Sequence, residues 1–245
     1  MNDHNHTDTH VAAQSLSKTR HDQALTTRQL EERRLIHRQE SVRVHADAFR
    51  ELRTRLLALG AGAHQAGGHF VTLVAPVRHG CGGSFVARNL AAAFAFDDTK
   101  QALLIDCDAS HPAQGDALQV SAEHGGLIDY LENESIALGD IVYPTGIPRL
   151  QLIPSGRIRE TPSENFSSLR MRMLIDSLRT HHGNRHLILD GPPALGSPDA
   201  RILSDLADLV VLVVGYGQIA PDAIDKAVAS FPAEKFAGVV FNQRP

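Results

Sequence analysis

From residue 69 onward the chain alternates short, unbroken apolar runs with stretches whose apolar positions recur every three or four residues. The runs HFVTLVAP (69–76), QALLIDCD (101–108), LQLIP (150–154), RHLILDGPP (185–193), ADLVVLVVGYG (207–217) and FAGVVFN (236–242) predict strands. The segments GSFVARNLAAAFAF (83–96), SENFSSLRMRMLIDSLRTHH (163–182) and APDAIDKAVASF (220–231) predict helices. The strands are continuous in Val, Leu and Ile rather than alternating with polar residues. That pattern belongs to strands buried on both faces, as in a parallel sheet covered by helices. Ahead of this region, Phe49, Leu52, Leu56 and Leu59 recur at helical spacing and form one apolar stripe. Gly60 and Gly62 end it, and GAGAHQAGG (60–68) reads as a linker. Residues 1–26 are polar, with little to bury, and read as a disordered tail. Its His4, His6 and His10 have no fixed carboxylate or cysteine partner. The expected organisation is a tail over 1–26, a helical segment over 27–60, and an α/β domain over 69–245.

Composition narrows the function classes. A chain of 245 residues, 42% hydrophobic, can bury one sizeable core. Its net charge of −4 provides no basic field for nucleic acid or an anionic membrane. Two cysteines, Cys81 and Cys107, do not make a disulfide scaffold. No apolar run approaches the ~20 residues of a membrane span, and the N-terminus MNDHNHTDTH has no apolar signal core. A cytoplasmic location is expected.

In an open parallel sheet, ligands bind beyond the carboxyl ends of the strands. The first strand ends in VAPVRHGCGGSF (74–85), a glycine loop running into a helix. Backbone N–H groups and a helix N-terminus form an anion cradle without any side chain. Ser84 stands where a hydroxyl would coordinate magnesium. LLIDCD ends in Asp106 and Asp108, and LILDGPP ends in Asp190. Each feature has a plainer meaning, since glycines make tight turns and strand-end aspartates cap helices. In this order, they point to a P-loop NTPase-like fold of three layers, with a mostly parallel sheet and helices on both faces, preceded by an N-terminal helical segment.

At these residues the sequence resembles the cytoplasmic domain of bacterial tyrosine kinases of capsule and exopolysaccharide synthesis. These belong to the deviant phosphate-loop group that includes partition and division-site ATPases. The resemblance spans about residues 45–242. DAFRELRTRL resembles the family's oligomerisation helix, with Asp47, Arg50 and Arg53 at its three motif positions. ALLIDCDASHP, GLIDYLENE, YPTGIPRLQLIPSGRIRETPSENFSSLRMRMLIDSLR, LILDGPPALGSPDA and GVVFN, ending in Asn242, follow the family pattern. The resemblance implies that His79, Gly80, Cys81, Gly82, Gly83, Ser84 and Asn242 face ATP or ADP. It implies that Ser84, Asp106 and Asp190 hold Mg2+, with Asp106, Asp108 and Asp190 serving catalysis if the protein is active.

The departures concern chemistry. The family loop carries a phosphate-gripping lysine where this chain has Gly83, and the four lysines, Lys18, Lys100, Lys226 and Lys235, lie elsewhere. Ser110 stands where the second acidic motif carries arginine, and Gly191 where threonine usually follows the last acid. The family's C-terminal tyrosine cluster has no counterpart up to FNQRP, and Tyr130, Tyr143 and Tyr216 are scattered. Losing one preorganised charge of this kind costs about 10²–10³ in rate. Arg78, where the partition-type loop has its opening lysine, is a candidate substitute, with Arg88 a weaker one. Cys81 and Cys107 lie at strand ends expected to be neighbours, which raises a redox link as a side reading.

The sequence thus reads as a degenerate, kinase-like regulator. It is expected to self-associate and to work with an integral-membrane, Wzz-like polysaccharide co-polymerase, peripheral to the inner face of the membrane, with nucleotide binding weak or absent. The alternatives are an active ATPase or protein tyrosine kinase using Arg78, and a positioning ATPase of the partition class.

Overall fold

The computed structural model describes residues 24–37, 44–63, 70–180 and 185–243. The expected tail falls almost wholly outside them. In chain order the elements are α1 (Thr27–Glu32), α2 (Val44–Ala63), β1 (Val71–Pro76), α3 (Gly83–Ala95), β2 (Gln101–Asp106), α4 (Gln114–Leu118), α5 (Leu127–Glu132), β3 (Tyr143–Pro144), β4 (Leu150–Ile153), α6 (Ser163–Ser167), α7 (Leu169–Thr180), β5 (Arg185–Asp190), α8 (Asp199–Leu206), β6 (Leu209–Gly215), α9 (Pro221–Val228) and β7 (Phe236–Asn242). The strands form one sheet in the order β3-β4-β2-β5-β1-β6-β7. All pair in parallel except β3, a two-residue edge strand antiparallel to β4. No helix among the described residues is long and apolar enough to cross a membrane.

The period-two geometry of a strand explains the unbroken apolar runs. Leu73, Leu103, Ile105, Leu187, Leu189, Val210 and Leu212 pack on one face, against Phe166, Met171, Leu174, Ile175 and Leu203 from α6, α7 and α8. Their sequence neighbours Val74, Leu104, Ile188, Val211 and Val213 pack on the other, against Leu90 and Phe94 of α3 and Leu56 of α2. Both faces are buried, which gives the expected three layers. The N-terminal helices join the second layer through Leu30, Leu35, Ile36 and Phe49. Buried Asn89 of α3 pins them: its Oδ1 accepts the Ile36 N–H at 2.8 Å, and its Nδ2 donates to the Arg34 carbonyl at 3.1 Å.

The segment expected as one helix over 163–182 is two. Ser168 is extended, with ψ 154°, and its Oγ accepts the Met171 N–H at 3.1 Å, so it caps α7 and breaks the run. The last two residues of that segment lie outside the described residues.

Candidate functional site

The glycine loop joins β1 to α3 at the carboxyl edge of the sheet, beside the ends of β5 and β6. Gly80 and Gly82 have φ of +85° and +86°, the left-handed region that only glycine enters freely. Among the described residues, the N–H groups of Gly80, Gly82, Gly83 and Ser84 meet no acceptor, and they open α3, a helix of 13 residues. Free donors at a helix N-terminus are able to cradle an anion. Asn242 at the end of β7 straps it: its Nδ2 donates to the Cys81 carbonyl at 3.0 Å. The same nitrogen would lie 2.1 Å from a Cβ at position 82.

Gly83 holds a further constraint. A Cβ there would stand 2.7 Å from Cδ and 2.9 Å from Cγ of Pro76, inside ordinary contact distance. The position where the family carries lysine is therefore closed over by the last residue of β1.

The acids gather at neighbouring strand ends. Asp106 and Asp190 are register partners on β2 and β5, and neither is exposed to solvent. Asp106 Oδ2 accepts the N–H groups of Ala113 and Gln114 at 3.0 and 2.9 Å, and its Oδ1 accepts that of Asp108 at 3.3 Å. It thus satisfies the start of α4, the plain role of a strand-end aspartate, while occupying a site position. Burial nevertheless pushes its carboxyl up to about 6, the backbone donors only partly offsetting it. Burial first, then the neighbouring Asp106, drives Asp190 well above the carboxylate range, against hydrogen bonding from Gln114 and Ser84. Gln114 Nε2 donates to Asp190 Oδ2 at 2.6 Å and to the Ser84 carbonyl at 2.9 Å, fastening α4 to the loop helix. Asp190 Oδ1 is buried and has no hydrogen-bond partner.

Of the three magnesium candidates, Ser84 and Asp190 fit a hydrated cation: they share one locus and leave a buried oxygen unpaired. Asp106 fits poorly as a direct ligand, because backbone donors hold both of its oxygens. Asp108 is buried beside His79 and His111. It is raised by burial, and the nearby His111 N–H, His79 and His111 counter that rise. Cys81 and Cys107 are buried free thiols, and burial with three nearby carboxylates pushes the Cys107 thiol up.

Arg78 is exposed, and its side chain makes no hydrogen bond or ion pair among the described residues. Arg88 lies over the Phe85 ring at 5.4 Å and is half-buried; desolvation lowers its pKa and attraction to Asp190 opposes the shift. The oligomerisation-type residues divide. Asp47 and Arg50 pair at 2.8 Å on the exposed side of α2, whereas Arg53 turns inward and donates to the Ala93 carbonyl at 2.7 Å, at the end of α3. Sequence reasoning missed Gln114, which sits in no recognisable motif, and the closure of Pro76 over Gly83.

No family model matches the chain. It is 29% identical over 175 residues to the tyrosine-protein kinase CpsD of Streptococcus agalactiae, spanning 71% of this chain and 75% of that one. It is also 29% identical to the tyrosine-protein kinase YwqD of Bacillus subtilis over 213 residues, 86% of each chain. Among solved structures, the BceF tyrosine kinase domain superposes with a TM-score of 0.69 at 27% identity, over 81% of this chain and 77% of that one.

Proposed function

The chain is a relative of the bacterial tyrosine-protein kinases, and on that premise we propose that it is a regulator of capsule or exopolysaccharide synthesis whose phosphoryl-transfer chemistry is weak or absent. It acts by assembling with itself and with a membrane-embedded polysaccharide co-polymerase at the inner face of the membrane. The observation that carries this reading is Gly83. The position supplies no charge to the outer phosphates, and Pro76 fills the space from which a longer side chain would start.

What the chain's own residues do follows from their placement. The free N–H groups of Gly80, Gly82, Gly83 and Ser84 bind phosphate oxygens. Ser84 and Asp190, the latter in its ionised form, would hold a hydrated magnesium ion, which would offset charge on the phosphates. Gln114 keeps Asp190 in place, and Asn242 keeps the loop closed on β7. Each of these groups works in the ground state. None replaces the positive charge that a lysine brings as charge builds on the transferring group.

The test is turnover. With Mg-ATP, phosphate release and phosphotyrosine formation by the full chain should run about 10²–10³ below the ~1–100 s⁻¹ of competent kinases. Turnover within that ordinary range, abolished by Asp106→Asn, would overturn the reading. It would favour the active-enzyme alternative, for which the unpaired Arg78 is the motivating residue. For assembly, the exposed Asp47–Arg50 pair is the candidate contact.

A further inference from the structure

The turn after β2 meets the glycine loop a second time, outside the cradle. Asp108 Oδ1 accepts the His111 N–H at 3.1 Å, which folds residues 108–111 into a tight turn. The turn brings the His111 imidazole back over its own aspartate, with Nδ1 3.8 Å from Oδ1. His79, the residue before Gly80, comes from the loop to join them: its ring centroid lies 4.3 Å from that of His111, the planes tilted by 59°. One ligand-type atom from each of His79, Asp108 and His111 lies within 4.8 Å of the other two. Neither imidazole makes a hydrogen bond to any other side chain among the described residues.

We propose that His79, Asp108 and His111 form a binding site for a divalent transition-metal ion of the zinc class. The donor set is the first argument. Two imidazole nitrogens and one carboxylate oxygen suit zinc and its borderline neighbours, whereas magnesium prefers an all-oxygen octahedron. Geometry is the second. A four-coordinate zinc ion with bonds of about 2.0–2.1 Å sets its ligand atoms about 3.3 Å apart. The cluster therefore has to contract by about 1.5 Å at its widest. The parts that must move are the free ones, because His79 is exposed and His111 is 65% exposed, while the Asp108 side chain, 9% exposed, is held. Water completes the coordination, as in three-ligand zinc sites. The donors here are the side chains of His79, Asp108 and His111, whereas the cradle offers backbone N–H groups, so the site stands whether or not the kinase-derived reading holds; it draws on His79, expected from the resemblance to face nucleotide, and on Asp108, expected to serve catalysis if the protein is active. An ion bound there ties the loop ahead of Gly80 to the end of β2 and takes Asp108 out of any other role.

The experiment uses the full chain with His4, His6 and His10 changed to Ala, so that imidazoles near the N-terminus do not compete. It is titrated with Co2+, followed by visible absorption, and with Zn2+, followed by calorimetry, without nucleotide. One equivalent of ion should bind, with a tetrahedral-type cobalt spectrum. His79→Ala and His111→Ala should each weaken binding by at least about tenfold, with unchanged circular dichroism, since both side chains are exposed. Failure to bind one equivalent, or binding that survives the two substitutions together, would overturn the proposal.

Discussion

Restoring lysine at position 83 is the change the loop pattern invites, and the packing predicts that it fails on its own. The new Cβ would meet Cδ of Pro76 at 2.7 Å, Cγ at 2.9 Å and Cβ at 3.1 Å. Relief needs a displacement of about 0.5–1 Å in a close-packed region, and overpacking of that kind costs about 1–3 kcal/mol. Little can give way there. Pro76 ends a central strand, its carbonyl accepts the Ala194 N–H at 2.8 Å, and Val77 N–H is bonded to Val213 O at 2.9 Å. For a chain of this size the cost corresponds to a fall in Tm of about 2–4 °C per kcal/mol. Pro76→Ala removes Cγ and Cδ, the two nearest atoms, and leaves only the 3.1 Å contact. The two substitutions should therefore couple: Gly83→Lys alone lowers Tm, and the double variant regains most of the loss, with a coupling of about 0.5–3 kcal/mol. Thermal unfolding of the four proteins measures this, and nucleotide calorimetry on the same set asks whether the lysine adds affinity only where Pro76 is gone. A Gly83→Lys protein as stable as the parent, with additive effects in the double variant, would show that Pro76 does not close the position.

Two further outcomes follow from the buried groups. Asp106 and Asp190 have raised pKa values, so the folded state favours their protonated forms; that contribution is complete below pH ~4, is lost for Asp106 as pH rises through about 6, and is lost for Asp190 as pH rises through its own raised pKa. Asp190→Asn removes its share, while its amide oxygen can still accept from Gln114 Nε2; it should gain about 1–3 kcal/mol in urea unfolding at pH 7.5 and little at pH 4, and an equal or lower stability at pH 7.5 would refute this. On α2, Arg53→Ala should cost about 1–3 kcal/mol by freeing the Ala93 carbonyl, while Arg50→Ala changes stability by no more than about 0.5 kcal/mol and weakens self-association in sedimentation; a sedimentation profile unchanged at every concentration would remove α2 as an assembly surface.

The parallel sheet was legible because its inner strands are buried on both faces, so β1, β2, β5 and β6 write themselves as unbroken apolar runs, and the half-exposed edge strand β7 shares the pattern. The strand-end acids were legible by order. The short helices α4 and α5 were not, since five or six residues complete too little of a 3.6-residue period to show a face. Ser168 hid a break because one capping serine looks like any other within a helical run. The inward turn of Arg53 was available in principle. Six residues along a helix place it about 120° around from Asp47, off the face that Asp47 and Arg50 share three residues apart. Gln114 and Pro76 were out of reach, because each acts across the chain on a partner that no local pattern names.

Those two residues bear on how the loop keeps its form. Pro76 against Gly83, Asn242 on the Cys81 carbonyl, and Gln114 bridging Ser84 and Asp190 hold the cradle through packing and neutral hydrogen bonds. The charges around it are lopsided. Asp106, Asp108 and Asp190 meet at the strand ends, and the nearby arginines are the exposed Arg78 and the desolvated Arg88. Burial first, and then the same acids, raise the Cys107 thiol, and a thiolate is what a Cys81–Cys107 redox link would need, so the surroundings oppose that chemistry, and the acids also oppose gathering anionic phosphate. Shape and charge are thus supplied by different residues here, and only the charge is depleted. A loop held by Pro76, Asn242 and Gln114 presents the same surface with or without turnover, which is what the proposed regulator needs if a partner reads its form.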